Sequence, residues 1–95
     1  MSDGEVRLTG RLICASQDEA RIVQTHLPEH VRLTRAEPGC LSFVVEATAD
    51  PLIWSVSERF QDKAAFARHQ SRTRASVWAV VTAAIKRDYE ILGLD

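Results

Sequence analysis

Two strand-like segments joined by a turn occupy residues 41–60, LSFVVEATADPLIWSVSERF. Within residues 41–48 and again within residues 52–60, apolar side chains alternate with other residues, which is the period typical of a β-strand. The Ala49-Asp50-Pro51 segment between them favours a turn. So short a connection predicts an antiparallel hairpin. One face of this hairpin is expected to carry Leu41, Phe43, Val45, Ala47, Leu52, Trp54, Val56, Glu58 and Phe60.

A strand and a long helix are predicted before the hairpin. Residues 6–15 alternate with a period of two, which predicts a strand. Ser16-Gln17-Asp18-Glu19 is a capping-box pattern and predicts the start of a helix. Pro28 lies inside this helix and predicts a kink or a break, and Pro38-Gly39 predicts its end. The apolar stripe of the helix consists of Ala20, Val23, Leu27, Val31 and Thr34.

A second helix and a short strand are predicted after the hairpin. Asp62 is the expected N-cap, and the polar residues 71–74 predict an interruption of the helix. The helix is expected to resume over residues 75–85, and residues 89–92 predict a last strand. The inner face of the first part is expected to carry Phe66, His69 and Thr73, and the stripe of the second part Val77, Val81 and Ala84, with Trp78 at its border.

The order of these elements is β-α-β-β-α-β, which predicts an α+β, ferredoxin-like fold with an antiparallel sheet. Right-handed crossovers then place the first and third strands centrally and the other two at the edges. Cys14 and Cys40 would be separated by two strand spacings, about 9.6 Å. A disulfide requires Cα atoms closer than about 7 Å, so both thiols are expected to be free.

Length and charge restrict the possible partners. The 95 residues correspond to a single domain, residues 1–95. The 12 basic and 13 acidic residues give a net charge of −1, which offers no basic surplus for nucleic acid. The first residues lack the pattern of a signal peptide, and no apolar run approaches the roughly 18 residues of a membrane span. A cytoplasmic protein without membrane contact is therefore expected.

The sheet face opposite the two helices is mixed in character. It would carry a set of arginine, small polar and isoleucine side chains: Arg7, Thr9, Arg11, Ile13, Ile53, Ser55, Ser57 and Arg59. Such a face suits a semi-polar interface between two sheets, with charges paired across a homodimer. The alternative is a solvated face on a monomer.

Two titratable residues are the candidate catalytic groups. His69 lies on the predicted inner face of the second helix and could transfer a proton near neutral pH. Glu58 shares a strand face with apolar neighbours, which would raise its pKa and allow it to act as a base. The alternatives are a hydrogen-bonded core histidine, and a salt bridge of Glu58 with Arg72 or Arg74.

Other side chains are candidates for binding. Aromatic residues, Phe43, Trp54 and Trp78 among them, could form the wall of a pocket or simply the core. Arg72 and Arg74 could hold an anionic oxygen or could lie in a solvated helix break. His26 and His30 have the i, i+4 spacing of metal ligands, but no third ligand is evident. A solvated histidine pair and no metal are therefore expected.

Two segments resemble the antibiotic-biosynthesis monooxygenase family. Residues 34–43, TRAEPGCLSF, are similar to its T-R-x-E-P-G-C-L-x-Y/F segment. Residues 57–69, SERFQDKAAFARH, are similar to its x-E-x-W-x-D/S-x-x-A-F/L-x-x-H segment. The resemblance implies a dimeric α+β barrel with a pocket between sheet and helices. It also implies oxidation of aromatic polyketide or quinol-like substrates by molecular oxygen, often without metal or flavin.

The resemblance assigns roles at matching positions. Glu58 and His69 occupy the positions of the family's glutamate and histidine, and Phe43 and Trp54 would be pocket walls. Arg74 stands where many members have a second histidine. A haem-degrading branch has an asparagine and a histidine where Gly10 and Ala79 stand here, which disfavours haem.

The expected function is a cofactor-independent monooxygenase acting on a small aromatic or quinol-like molecule. In this hypothesis Glu58 and His69 are catalytic, and substrate is bound by Phe43, Trp54, Arg72, Arg74 and Trp78. One alternative is a non-catalytic dimeric domain that binds a small metabolite. Another is an isomerase acting on a small phosphorylated signal molecule, which inward-pointing arginines would favour.

Overall fold

A computed structural model describes residues 4–94. Its elements are, in chain order, β1 (Val6–Ile13), α1 (Gln17–Arg35), β2 (Cys40–Ala47), β3 (Ile53–Phe60), α2 (Lys63–Arg74), α3 (Val77–Val81) and β4 (Lys86–Leu92). The four strands form one sheet in the order β2-β3-β1-β4, and all neighbouring strands are antiparallel. This confirms the predicted α+β, ferredoxin-like fold, with β1 and β3 at the centre of the sheet.

Helix α1 begins as its capping residues predict. The Ser16 hydroxyl accepts a hydrogen bond from the Glu19 amide at 3.2 Å, and the Glu19 carboxylate accepts one from the Ala15 amide at 2.6 Å. Of the kink or break predicted at Pro28, the break is wrong, because α1 is one continuous helix of 19 residues. Pro28 and Gln24 are both exposed, so water can bind the Gln24 carbonyl that proline leaves without its helical partner.

Strand β2 contains an irregularity that the alternating pattern does not reveal. Cys40 pairs with Phe60 and Ser42 pairs with Arg59, so Leu41 is an extra residue in a β-bulge. The predicted inward position of Leu41 is therefore wrong, and its side chain is 50% exposed. Beyond the bulge the expected alternation holds, because Phe43 pairs with Glu58 on the covered face.

The second helical region is interrupted later than predicted. Residues 71–74 complete the last turn of α2, and the break falls at Ala75 and Ser76, the latter being the N-cap of α3. Helix α3 ends at Val81, so the predicted helix to residue 85 is too long. Its inner face also differs from the prediction, since Trp78 is buried whereas Val77 is 67% exposed.

The core lies between the helices and one face of the sheet. Alternate residues of β1 and β3 enter it, so that the buried strand residues include Val6, Leu8, Leu12, Val56 and Phe60. The opposite face carries charges that are paired within the chain. Arg7 and Arg59 both bind Glu5, and Arg11 binds Asp88 across β1 and β4.

Cys14 and Cys40 are both free thiols, as the strand order predicted. None of the helices within residues 4–94 is both long and apolar enough to cross a membrane.

Candidate active site

A cavity of about 130 Å³ lies between the covered face of the sheet and the helices. Each strand and each helix contributes at least one side chain to its lining. This volume is close to the roughly 150 Å³ of an apolar cavity that admits benzene, so the cavity is about the size of a single aromatic ring. The cavity is not uniformly apolar, because carboxylate, imidazole, hydroxyl, phenol and guanidinium groups all belong to lining residues.

Glu58 and His69 meet at this cavity. The alternation of β3 directs Glu58 inward between Leu8 and Phe43, and the inner face of α2 directs His69 towards the same point. The two side chains are 6% and 3% exposed as residues. His69 Nε2 lies 3.7 Å from Glu58 Oε1. The two candidate catalytic groups are therefore buried neighbours at the same cavity.

The loop after α1 supplies a third group, Glu37, which the sequence analysis did not assign to the site. Its carboxylate oxygens lie 3.1 and 3.2 Å from His69 Nδ1. Arg72 Nε donates to the same carboxylate, and Arg72 Nη2 donates to Thr34 Oγ1 at 2.9 Å. Arg72 thus binds Glu37, and the alternative of a salt bridge between Glu58 and Arg72 or Arg74 is wrong. The signal that could have identified Glu37 was its place in the TRAEPGC segment.

These contacts fix the orientation of the His69 ring. A carboxylate only accepts hydrogen bonds, so Nδ1 must carry the hydrogen that is donated to Glu37. In the neutral imidazole, Nε2 then has a free lone pair, which faces Glu58 and the cavity. The arrangement leaves a proton acceptor at the cavity surface and a carboxylate behind it.

The environment raises the pKa of Glu58 and lowers the pKa of His69. Burial, and secondly the negative charge of Glu37, raise the pKa of Glu58 to about 7. Burial lowers the pKa of His69, and the hydrogen bond that His69 donates to Glu37 partly opposes this effect. Near neutral pH, Glu58 therefore readily gains or loses a proton beside a neutral imidazole. This is the condition that suits a general base.

Aromatic rings form the helix side of the cavity. His30 stacks on Trp78 with ring centroids 4.6 Å apart, and it meets Phe43 edge-on at 5.4 Å. The expected solvated pair is wrong for His30, which is only 5% exposed. Burial, and secondly the charge of Arg72, lower its pKa to about 3, so the ring is neutral. Within residues 4–94 no group of three or more metal-ligating side chains is assembled.

Only some of the predicted binding residues line the cavity. Phe43 and Trp78 line the cavity together with Glu58 and His69. Trp54 does not line it, and lies instead at a surface hollow near the start of α1. Arg72 lines a different hollow between α1 and α3, and Arg74 is exposed.

Strand β4 contributes three side chains to the cavity lining, Arg87, Tyr89 and Ile91, and none of them was predicted as a site residue. Arg87 donates to the carbonyls of Thr82 and Ile85 and lines the cavity. Tyr89 lies opposite Gly10, where an added Cβ would be 2.1 Å from the Asp88 carbonyl and 2.9 Å from the Tyr89 ring. Only glycine permits this close approach. Burial raises the pKa of Tyr89 to about 12, so its hydroxyl remains protonated.

Comparison with solved structures shows the same fold elsewhere. SnoaB, a cofactor-independent oxygenase from Streptomyces nogalater, matches with a TM-score of 0.78 at 13% identity, covering 94% of this chain and 91% of that one. A putative antibiotic biosynthesis monooxygenase from Nitrosomonas europaea matches at 0.78 and 20%, covering 95% and 90%. A conserved protein from Methanosarcina mazei Go1 matches at 0.77 and 15%, covering 95% and 92%. At these identities the similarity shows the fold alone.

Sequence comparison gives the family. No curated protein matches the chain. The family model for antibiotic biosynthesis monooxygenases matches residues 12–79, which include Glu37, Glu58 and His69 and make up well over half of the chain. The chain therefore belongs to the antibiotic biosynthesis monooxygenase family.

Proposed function

We propose that this protein is a cofactor-independent monooxygenase that oxidises a small aromatic or quinol-like substrate with molecular oxygen. The observation that carries the proposal is a buried carboxyl, Glu58, whose pKa is about 7 and which faces a cavity about the size of one ring. The family membership and the fold shared with SnoaB, itself described as a cofactor-independent oxygenase, support it.

The first step is removal of a proton from a ring hydroxyl. Glu58 takes this proton, and His69 Nε2 accepts a hydrogen bond from the same hydroxyl or holds the proton afterwards. Glu37 keeps the His69 ring in the tautomer that this requires. The negative charge of the resulting phenolate spreads onto ring carbons, which makes the substrate itself the reductant of oxygen.

The second step is the reaction of this anion with oxygen. One electron passes from the anion to dioxygen, and the resulting radical pair forms a carbon–oxygen bond, giving a peroxide at the ring carbon. Glu58 returns the proton from the first step to the outer peroxide oxygen and then removes the hydrogen of that carbon as a proton. The O–O bond breaks, and the departing hydroxide takes up this proton and leaves as water. In total the substrate loses two hydrogens and gains one oxygen atom, and the second oxygen atom becomes water.

The isomerase alternative has less support. It would need cationic side chains free to bind a phosphate inside the cavity. Arg74 is exposed, and Arg72 is bound to Glu37 and Thr34. Arg87 does line the cavity, but it donates to the carbonyls of Thr82 and Ile85. A binding domain without catalytic activity remains an outcome of the experiment below.

The function is tested by enzyme-dependent oxygen uptake. The purified protein, treated with a metal chelator, is mixed with a panel of hydroquinones and phenols, and uptake is measured above spontaneous oxidation. We expect saturable uptake and, with labelled dioxygen, one labelled atom in the product. His69→Ala should reduce the rate about 100-fold, because the hydrogen-bond acceptor that assists Glu58 in removing the proton is lost. Absence of uptake across the panel would leave a binding protein, and equal rates would remove His69 from the mechanism.

We also propose that two copies of the chain pair through the sheet face opposite the helices, called the open face below. The internal ion pairs of Arg7, Arg11 and Arg59 leave this face nearly neutral, which lowers the cost of burying it. Half-buried Ile13 and Ile53 supply apolar area between them.

Sedimentation tests the dimer. We expect the wild type to sediment at twice the mass of one chain at micromolar concentration. Thr9→Glu places a charge at the centre of the open face and should give monomers, because an unpaired carboxylate would be buried. Thr25→Glu, on an exposed position of α1, is the matched control and should remain dimeric. A wild type that sediments as a single chain would overturn the proposal.

A further inference from the structure

Unpartnered polar atoms are concentrated around the candidate active site. Among residues 4–94, buried side-chain polar atoms that make no hydrogen bond belong to His30, Trp54, Glu58 and Thr73. All except Trp54 line the same cavity. A buried polar atom without a partner is costly, so a group of them around one cavity indicates a ligand that bears hydrogen-bonding groups. The proposed mechanism uses Glu58 and leaves His30 and Thr73 without a role.

His30 and Thr73 approach the cavity from the helix side. Thr73 follows His69 by four residues on α2, so it lies on the same helix face, one turn or about 5.4 Å further along. The ring of His30 lies 6.2 Å from that of His69 and comes from α1. One helical turn is about the width of an aromatic ring. A ring whose hydroxyl reaches Glu58 can therefore extend its far side towards Thr73 and His30.

The chemistry of these two groups limits what they can bind. The Thr73 hydroxyl can donate and accept, and the neutral imidazole of His30 can also do both. Neither group carries a charge that would favour a carboxylate or a phosphate. A phenolic hydroxyl or a quinone carbonyl is the complementary group, because each is neutral and exchanges single hydrogen bonds.

We propose that His30 and Thr73 form a second polar subsite, which binds the substrate oxygen on the opposite side of the ring from the hydroxyl at Glu58. The inference rests on the proposed function for the identity of the ring, and it narrows the substrate class. The preferred substrates are para-dihydroxyarenes and related hydroxy-ketones, and phenols with a single oxygen are bound poorly. His30 and Thr73 are thus specificity-determining residues.

The test is binding without turnover. Hydroquinone and phenol are titrated into the wild-type protein in oxygen-free buffer by calorimetry or by NMR. We expect hydroquinone to bind about tenfold more tightly, because phenol leaves the second subsite unpartnered. Equal affinities, or no binding of hydroquinone at all, would overturn the proposal.

Two variants test whether His30 and Thr73 cause the preference for hydroquinone over phenol. Thr73→Val keeps the shape of the side chain without its hydroxyl, and His30→Phe keeps a ring stacked on Trp78 without its nitrogens. Each should bring the affinity for hydroquinone close to that for phenol, and Thr73→Ser should restore the preference. The control Thr25→Val, on the exposed surface of α1, should preserve the wild-type ratio. An unchanged ratio in both cavity variants would contradict the assignment.

The thermal stability of Thr73→Val tests the unpartnered hydroxyl separately from ligand binding. Thr73→Val removes an unpartnered hydroxyl, so its thermal unfolding midpoint should not fall below that of the wild type; a lower midpoint would contradict the unpartnered hydroxyl on which the subsite rests. Selective binding of hydroquinone without oxygen uptake would support the subsite and contradict the monooxygenase. Oxygen uptake with no selectivity for the second substrate oxygen would support the monooxygenase and contradict the subsite.

Discussion

Replacing Glu58 with glutamine should lower kcat for quinol oxidation by about 10²-fold to 10⁴-fold, the range expected for loss of a general base. Glutamine has nearly the same shape and still fits between Leu8 and Phe43, but it cannot take a proton. The rate is measured by oxygen uptake with the best substrate of the panel. Glu29→Gln, which changes an exposed carboxylate on α1, is the matched control and should retain full activity.

The pH dependence gives an independent readout of Glu58. Its pKa of about 7 means that the basic form, and hence the wild-type rate, should increase as the pH rises through about 7. Glu58→Gln should abolish this inflection. Because the pKa is higher than the ordinary 4.5, the carboxyl stabilises the fold below about 4.5, and this stability is lost as the pH rises through about 7.

At pH 8, Glu58→Gln should therefore unfold at a higher temperature than the wild type, although it is far less active. A glutamine variant that is both active and unchanged in its pH profile would contradict the assignment of Glu58 as the base.

Replacing Glu37 with alanine should reduce the free energy of unfolding by about 3 kcal/mol, as expected when one member of a buried ion pair is removed. The variant leaves Arg72 and His69 without their common partner in a largely buried position. Urea unfolding at pH 7 measures the loss. Glu29→Ala is the matched control, because Glu29 also binds an arginine, Arg32, but on the exposed surface of α1. It should cost less than about 1 kcal/mol.

Glu37→Gln separates orientation of His69 from stability. It should fold, since glutamine can still accept the hydrogen bond from Nδ1, but it removes a negative charge near Glu58. The pKa of Glu58 should then fall, and the inflection of the pH–rate profile should move to lower pH. An unshifted profile would show that Glu37 does not act on the catalytic pair. Equal stability of Glu37→Ala and Glu29→Ala would contradict the burial argument.

Much of this fold follows from local patterns. The alternation in β1, β2 and β3, the Ser16 cap and the Asp62 cap each describe a single element and its own two faces. Such patterns correctly placed Glu58 on the covered face of β3 and His69 on the covered face of α2. They also gave the strand order, because handedness leaves few connections between these elements.

Exceptions to the pattern arise where neighbours override it. The Leu41 bulge depends on how β2 pairs with β3, and the inward position of Trp78 depends on the break at Ser76 and on a stacking partner, His30, that belongs to another helix. No periodicity within β2 could reveal the bulge, and no periodicity within α3 could reveal the stacking partner of Trp78.

The sequence by itself determined the type and order of the main elements and the inward direction of the two catalytic candidates. Only the tertiary structure decided that Glu37 binds His69, 32 residues away, that Arg72 is engaged there, and that His30 and Thr73 remain unpartnered at the cavity. The physical reason is that periodicity reports the faces of one element at a time. Contacts between faces depend on strand register and loop path, which are fixed only when the whole chain packs.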